Sequence, residues 1–338
     1  MDSLNPRFKA KKKQKFDFDY FINGIENQDR YVLGQLITLL ESNDEIKRKQ
    51  GLDVLSNCKV KQATHRISIT GSPGVGKSTF INAYANYLTG LGKKVAVLAI
   101  DPSSQPTKGS ILGDKTRMVD LTQNEQVYVR PSPAGELLGG IAKGTKEAIT
   151  ACEIFGFDYI LLETVGVGQS EHLATQIVDF TILLLQIGAG DDIQGIKRGI
   201  MEMADLFVVN KDDGDHKELV RKSLSYYRQA LTFVGKRYDV KYKRVLSCSS
   251  LESKGFDQIN DSIKAVFSFL RKDGLIYEQR GIQERKWLKL MTKEYILNRV
   301  ENLPEVRNLL DSFNHENEET ALNYFESIRK KIDQIVEK

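Results

Sequence analysis

The chain has 338 residues, of which 41% are hydrophobic and 28% charged, a composition typical of a folded globular protein of one to three domains and not of a disordered chain. Its net charge is +4, but the first fifteen residues carry +5 and the remainder about −1, which argues against a nucleic-acid-binding folded body. The longest apolar stretch, residues 180–187, is far shorter than the roughly 20 residues that span a bilayer, so we expect no membrane association. Three widely spaced cysteines without a CxxC pair predict a reducing, cytoplasmic location and buried apolar thiols, at Cys58, Cys152 and Cys248.

Composition divides the chain into four segments. Residues 1–19 contain a lysine run and are predicted to form a basic disordered arm, with contact to an acidic partner as the alternative. Residues 20–63 are predicted to be helical, because apolar residues recur there at the spacing of one helix face, at Leu33, Leu36, Ile37 and Leu40. Residues 64–275 alternate strands with helices, and residues 276–338 are predicted to be helical again.

The central segment predicts an α/β fold. Its short apolar or β-branched runs are candidate strands, at residues 67–70, 94–100, 126–130, 159–163, 181–187, 206–210 and 244–248. Several of these runs are apolar on both faces, as expected for strands of a mostly parallel sheet that helices cover. We therefore expect a doubly wound α/β core flanked by helical segments at both ends of the chain.

The C-terminal segment carries an apolar stripe at a 3-4-3 spacing, at Phe325, Ile328, Ile332 and Ile335. A break near residues 302–304 separates this helix from an earlier one that contains Leu288, Met291 and Tyr295. Such a stripe either packs on its own domain or pairs with a second copy of the chain. We favour the second interpretation, which predicts a homodimer.

A phosphate-binding loop is predicted between the first strand and a helix over residues 77–90. The pattern G-x-x-x-x-G-K-[ST] is matched by Gly71, Ser72, Pro73, Gly74, Val75, Gly76, Lys77 and Ser78, with Thr79 following. The glycines let successive backbone N–H groups face a phosphate, and Lys77 adds positive charge at the β- and γ-phosphates. The Ser78 hydroxyl is a candidate Mg²⁺ ligand.

A second motif, N-K-x-D, identifies the base as guanine. Asn210, Lys211 and Asp213 follow an apolar strand about 130 residues after the P-loop. The Asp213 carboxylate accepts hydrogen bonds from the N1–H and 2-amino groups of guanine, and adenine lacks both donors, so ATP is disfavoured. A further base-contacting loop is predicted at Ser249, Ser250 and Leu251, after the next strand.

Acidic residues near the P-loop predict a magnesium site. Asp101 and Glu163 each end a candidate strand, and Asp114 lies in a polar loop between them. Together with Ser78, these carboxylates supply the oxygen ligands that Mg²⁺ prefers. Gly166 follows Glu163 closely enough for its backbone N–H to face the γ-phosphate.

Seven segments together resemble the MeaB/ArgK-type GTPases over about residues 20–275: ITGSPGVGKSTFINA, VLAIDPSS, GSILGDKTRM, RPSPAGELLGG, LLETVGVGQSE, QIGAGDDIQGIKRGI and NKDDGD. The resemblance implies a GTPase chaperone that gates cobalamin loading and protects a cobalamin-dependent acyl-CoA mutase of the methylmalonyl-CoA mutase type. It also implies homodimers built through a C-terminal helical arm, with a cobalamin adenosyltransferase as a further partner. The basic head at residues 9–15 is not part of the family pattern.

Residue roles follow from the same resemblance. It assigns Lys77 and Ser78 to the phosphates, Asp101, Asp114 and Glu163 to Mg²⁺, and residues 166–169 to the second switch. Asp191, Gln194 and Lys197 match a further switch that links the nucleotide to the client. The residues expected to act in catalysis are thus Lys77, Glu163, Gly166, Gln169, Asp191, Gln194 and Lys197.

Two other functions stay open at this point. A metal-insertion GTPase for a nickel or cobalt enzyme would be expected to contain a histidine-rich tract or a CxxC pair, and this sequence has neither. A nucleotide-binding scaffold with negligible turnover is the other alternative. We expect slow intrinsic hydrolysis, because no arginine lies inside the P-loop or directly after Glu163.

Overall fold

The computed structural model describes residues 16–60, 64–101, 121, 123–133, 144–164, 174–188, 198–235, 237–312 and 320–337. The chain forms two compact units, one that ends at Ile276 and one that begins at Tyr277. The first unit contains the sheet and the nucleotide motifs. The second consists of helices.

Three helices precede the sheet: α1 (Phe18–Glu26), α2 (Arg30–Leu40) and α3 (Glu45–Ser56). Each begins after an aspartate whose carboxylate accepts a hydrogen bond from the first turn, at Asp17, Asp29 and Asp44. The cap at Asp17 starts α1 at Phe18, inside the range that the sequence assigned to the basic arm. The apolar face predicted for the second helix is fully buried, at Leu33, Leu36, Ile37 and Leu40.

A seven-stranded sheet forms the centre of the first unit, in the order β3-β2-β4-β1-β5-β6-β7. The strands are β1 (His65–Gly71), β2 (Val95–Asp101), β3 (Val127–Pro133), β4 (Tyr159–Glu163), β5 (Phe180–Leu185), β6 (Leu206–Val209) and β7 (Val245–Ser247). All neighbouring pairs are parallel. The predicted α/β fold is confirmed, and the seven predicted strands are present: β4 has the predicted bounds, and the ends of the others differ from the prediction by at most three residues.

Helices cover both faces of the sheet. They are α4 (Lys77–Gly90), α5 (Thr145–Ile154), α6 (Arg198–Met203), α7 (Lys217–Ala230) and α8 (Phe256–Lys272), with 3-10 turns at Gly214–His216 and Leu231–Phe233. Alternate strand residues point to opposite faces, so α4 and α8 share one apolar core with side chains such as Ile67 and Ile69. On the other face, α1–α3 and α5 pack on β2 and β4, whereas α6 and α7 pack on β5 and β6.

The second unit is helical and contains α9 (Leu275–Glu301), α10 (Pro304–Ser312) and α11 (Ala321–Val336). Helix α9 begins two residues before Tyr277, where the unit begins. The predicted break lies between Glu301 and Pro304, and Pro304 takes the first position of α10, where its missing N–H costs nothing. Many large apolar side chains of this unit are exposed, among them Leu288 (59%), Tyr295 (64%) and Phe325 (57%).

Two further sequence predictions have structural outcomes. The three cysteines are free thiols; Cys152 and Cys248 are buried as predicted, whereas Cys58 is only half-buried. Within the part of the chain that the structure describes, no helix combines the length and the apolar character needed to cross a membrane.

Candidate nucleotide-binding site

The P-loop lies at the carboxyl end of β1, between the ends of β4 and β5, at the sheet edge where ligands of doubly wound folds bind. Gly76 has a left-handed φ of 95°, and a Cβ there would lie 2.8 Å from the side-chain nitrogen of Asn210. At Gly71 a Cβ would lie 2.6 Å from the Leu184 carbonyl oxygen. Glycine is therefore required at both positions for the loop to curl against its neighbours.

Lys77 begins α4, and its ammonium group lies across the loop. Its Nζ donates hydrogen bonds to the carbonyl oxygens of Gly71 at 2.9 Å and Ser72 at 3.3 Å. Val75 is buried in the core and anchors the loop, whereas residues 72–74 are exposed. The N-terminus of α4, the adjacent backbone N–H groups and Lys77 together form a site suited to a phosphate anion.

The structure brings Ser78 and Glu163 together beside this loop. The Ser78 hydroxyl donates a hydrogen bond to Glu163 Oε1 at 2.9 Å, although the two residues lie 85 positions apart. A hydroxyl and a carboxylate side by side supply oxygen ligands that fit Mg²⁺. Asp101 ends β2, a neighbour of β4, and nothing is described of its side chain. Among the described residues, no group of three or more histidine, cysteine or acidic side chains converges as a metal site.

The N-K-x-D motif follows β6 and contacts the P-loop directly. Asn210 is buried, and its Nδ2 donates to the Val75 carbonyl oxygen at 3.0 Å. Its Oδ1 accepts hydrogen bonds from Ser250 Oγ at 2.8 Å and from Cys248 Sγ at 3.5 Å. Lys211 has a φ of 67°, uncommon for a residue with a side chain, and its Nζ donates to the Gly74 carbonyl oxygen at 2.9 Å.

The carboxylate of Asp213 is oriented by the loop after β7. Ser249 Oγ donates to Asp213 Oδ2 at 2.9 Å, and the same hydroxyl accepts the backbone N–H of Glu252 at 3.0 Å. One hydrogen bond leaves the carboxylate with further acceptor positions, which match the paired donors of a guanine edge. Leu251, also predicted for this loop, is 76% exposed.

Comparison with known proteins agrees with this geometry. A family model described as "Methylmalonyl Co-A mutase-associated GTPase MeaB" matches residues 33–305. The chain belongs to the MeaB family. It is 43% identical over 281 residues to GTPase ArgK of Escherichia coli K12, covering 82% of this chain and 84% of that protein.

Two more similarities extend the comparison. The chain is 38% identical over 307 residues to "Methylmalonic aciduria type A homolog, mitochondrial" of Mus musculus, covering 88% of this chain and 74% of the relative. The crystal structure of an LAO/AO transport system kinase superposes on this chain with a TM-score of 0.70 at 32% identity, covering 94% of this chain and 97% of that one. This MeaB-family chain is thus a GTP-binding P-loop protein of the mutase-associated GTPases.

Three residues that the sequence did not predict make contacts in the MeaB-family site or in the segment that follows β5. Burial raises the pKa of Cys248 to about 12, so its thiol stays protonated and donates to Asn210. Gln186, just after β5, donates from Nε2 to the Pro73 carbonyl oxygen at 3.4 Å. Ser223 on α7 accepts the Gly188 backbone N–H at 3.1 Å. The polar run S-C-S-S at a strand end was the available signal for Cys248, whereas local sequence gave none for the other two.

Several predicted site residues of this MeaB-family chain lie outside the described residues. They are Asp114, Gly166, Gln169, Asp191, Gln194 and Lys197. Their roles stay predictions from the sequence. The described part of the site therefore consists of the P-loop, the Ser78–Glu163 pair and the two loops that follow β6 and β7.

Proposed function

We propose that the chain hydrolyses GTP and acts as a chaperone of a cobalamin-dependent acyl-CoA mutase of the methylmalonyl-CoA mutase type. It would gate cobalamin loading and protect the mutase from inactivation. Membership of a family described as mutase-associated GTPases supports the choice of client. The GTPase activity in this proposal is supported by two contacts of the phosphate loop, one with the Glu163 carboxylate and one with Asn210 of the guanine-type loop.

Binding of GTP follows from the chain's own groups. The P-loop N–H groups and Lys77 neutralise negative charge on the phosphates, and Asp213 accepts the donors of the guanine edge. Asn210 holds the two loops at a constant separation through its bond to Val75. This preorganisation lowers the cost of ordering the site when the nucleotide binds.

Ser78 and Glu163 would hold Mg²⁺, with Asp101 and Asp114 as the further acids that the sequence predicts. The ion, when bound, neutralises charge that develops on the β- and γ-phosphate oxygens. Lys77 adds positive charge at the same oxygens. Gly166 and Gln169 are proposed to orient the γ-phosphate and the attacking water. Without an arginine at these positions the intrinsic rate is slow, as in other P-loop GTPases that await a partner.

Coupling to the client is proposed to run through Asp191, Gln194 and Lys197. Just before this segment, Gln186 contacts Pro73 of the P-loop, whereas Gly188 is held by Ser223 on α7. A change in the P-loop therefore reaches the start of the segment through hydrogen bonds.

The further proposals are a homodimer through the C-terminal helices, a cobalamin adenosyltransferase as second partner, and a cytoplasmic location.

The test is GTP turnover by the full chain, measured alone and with a cobalamin-dependent acyl-CoA mutase. The mutase is expected to accelerate hydrolysis. In Lys197→Ala, intrinsic turnover should stay near normal while the stimulated rate is lost. Lys217→Ala, an exposed lysine at the start of α7, is the matched control and should keep full stimulation.

Three outcomes contradict these proposals separately. Full stimulation of Lys197→Ala removes Lys197 from the coupling mechanism. Absence of stimulation in the unmodified chain with every such mutase tested rejects the chaperone function, whereas absence of any turnover rejects the GTPase activity itself.

A further inference from the structure

A cavity of about 670 Å³ lies beside the edge strand β7, away from the nucleotide site. Its walls come from the last turn of α7, the 3-10 turn after it and the residues that lead into β7. Val245, the first residue of β7, lines the cavity. Because all strands are parallel, the amino end of β7 lies on the opposite side of the sheet from the P-loop, which follows the carboxyl end of β1.

The lining of this cavity is strongly cationic. It includes Arg228, Lys243 and Arg244 and no acidic residue. An adjoining hollow of about 340 Å³ shares Lys243 and Arg244 and adds Lys241, again without an acid. In the described residues, none of these four cations takes part in an ion pair.

One buried acid lies near this surface; it interacts mainly with an arginine outside the cavity lining and more weakly with Arg244. Asp205 is fully buried and pairs with Arg237, whose Nη1 lies 3.3 Å from Asp205 Oδ2. Residues 235–244 contain five basic residues and a single acid, Asp239. Positive charge therefore exceeds negative charge in this segment, and a concave surface concentrates its field.

Arg244 is held in place while donors remain available on its guanidinium. Its Nη1 makes long hydrogen bonds to the carbonyl oxygens of Val234 at 3.4 Å and Gly235 at 3.3 Å, and the Tyr242 hydroxyl is a further hydrogen-bond partner of this side chain. The guanidinium lies over the Phe207 ring at 5.6 Å, which restricts its orientation. The Nε donor is buried without a hydrogen-bond partner. A preoriented planar fork of this kind suits an anion with several oxygens.

We propose that this cavity binds the phosphate group of a small molecule. A dianionic phosphate fits the three cations of this cavity, none of which forms an ion pair with a described residue, better than a singly charged carboxylate does, because its second negative charge interacts with a further cation. The apolar walls at Leu231, Val234 and Tyr242 suit an apolar or aromatic part of the same ligand. The cavity volume lies in the range of small-molecule sites.

The test uses the full chain saturated with GDP, which fills the α- and β-phosphate positions of the P-loop; phosphate bound at the open γ-position is recognised because the cavity variants leave it unchanged. Isothermal titration with inorganic phosphate, pyrophosphate and phenyl phosphate should reveal one further site per chain, with phenyl phosphate tighter than inorganic phosphate. Arg228→Glu and Lys243→Glu should each weaken phenyl phosphate binding by about tenfold or more, since each reverses a charge at the anion. GDP affinity and circular dichroism should stay unchanged.

Arg221→Glu is the matched control. Arg221 is exposed and lies two turns before Arg228 on the same helix, outside the cavity, so this variant should bind phenyl phosphate like the unmodified chain. The proposal is overturned if none of the three probes binds the GDP-saturated chain. Equal affinities of the cavity variants and Arg221→Glu overturn it as well.

Discussion

Asn210 Nδ2 lies 3.0 Å from the Val75 carbonyl oxygen, and this hydrogen bond joins the loop after β6 to the P-loop after β1. Strand β5 separates the two strands, and the residues are 135 positions apart. Asn210 is also the acceptor for Ser250 and Cys248. A single buried amide thus holds the phosphate loop, the guanine loop and the loop after β7 in one arrangement.

Replacement of Asn210 by alanine should therefore destabilise the fold as well as weaken GDP binding. The change leaves the Val75 carbonyl and the Ser250 hydroxyl without their partner, which costs about 1–3 kcal/mol when such groups are buried. Urea denaturation with and without GDP measures both effects. Asn57→Ala, at an exposed asparagine after α3, is the control. Unchanged stability of Asn210→Ala would contradict the role of this amide.

Asp213→Asn should relax base selection. The amide presents a donor to the donor edge of guanine, so GDP affinity falls, and the preference over adenine nucleotides, expected at about 10⁴-fold in the unmodified chain, shrinks. Competition binding with GDP, ADP and xanthosine diphosphate measures the change, and xanthosine diphosphate should gain because its 2-oxo group accepts a hydrogen bond. Asp212→Asn is the control, since Asp212 accepts from Ser247. Comparable ADP and GDP affinities in the unmodified chain would refute the base assignment.

Lys77→Ala should abolish tight nucleotide binding while the fold persists. The ammonium group contacts carbonyl oxygens of a partly exposed loop and adds no packing to the core, so the free energy of unfolding should change by less than about 1 kcal/mol. Thermal denaturation without nucleotide tests whether the fold is unchanged, and fluorescence titration with a labelled GDP tests the loss of nucleotide binding. Unchanged GTP turnover at saturating Mg²⁺ would exclude a role for Lys77.

The buried carboxyl of Asp205 should make stability depend on pH. Burial raises its pKa from 3.8 to about 6, and nearby Arg237 offsets only part of that effect. The folded state therefore holds this proton at higher pH than the unfolded state does, so the stability from Asp205 is greatest below about pH 4 and declines as pH rises through 6. At each pH between 4 and 6 the contribution falls by up to about 1.4 kcal/mol per pH unit.

Unfolding of Asp205→Asn and of the unmodified chain, measured from pH 4 to 7, isolates this contribution. The difference in free energy between the two should shift in favour of the variant as pH rises. Asp239→Asn, at an exposed carboxyl of the neighbouring segment, is the control for removal of a negative charge. A constant difference between Asp205→Asn and the unmodified chain would show that the Asp205 carboxyl does not titrate in this window.

Truncation after Tyr277 should give a monomer that still binds GDP. The cut keeps Ile276, which packs in the core of the first unit, and removes the exposed apolar stripe that includes Phe325 and Ile335. Light scattering gives the mass of each particle. In the full chain, Phe325→Glu should weaken the dimer, while Ile46→Glu, at an apolar residue that is 72% exposed outside these helices, should not. Equal subunit numbers for the full and shortened chains would exclude the C-terminal helices as the dimer contact.

Local pattern in the sequence was sufficient for the elements and the motifs. The helix predicted over residues 77–90 matches α4, and each predicted strand is present, because hydrophobic periodicity and glycine turns act over a few neighbouring residues. The P-loop and N-K-x-D motifs were recognisable for the same reason. Their chemistry requires particular residue types at a short, constant spacing.

Tertiary structure decided which of these pieces meet. The strand order places β4 beside β1 and so brings Glu163 to Ser78, and the packing of the loops brings Cys248 to Asn210 and Gln186 to Pro73. The cationic cavity likewise depends on how residues 242–245 lie against α7. Contacts between residues this far apart in sequence depend on strand order and on the packing of helices against the sheet, which local periodicity does not encode.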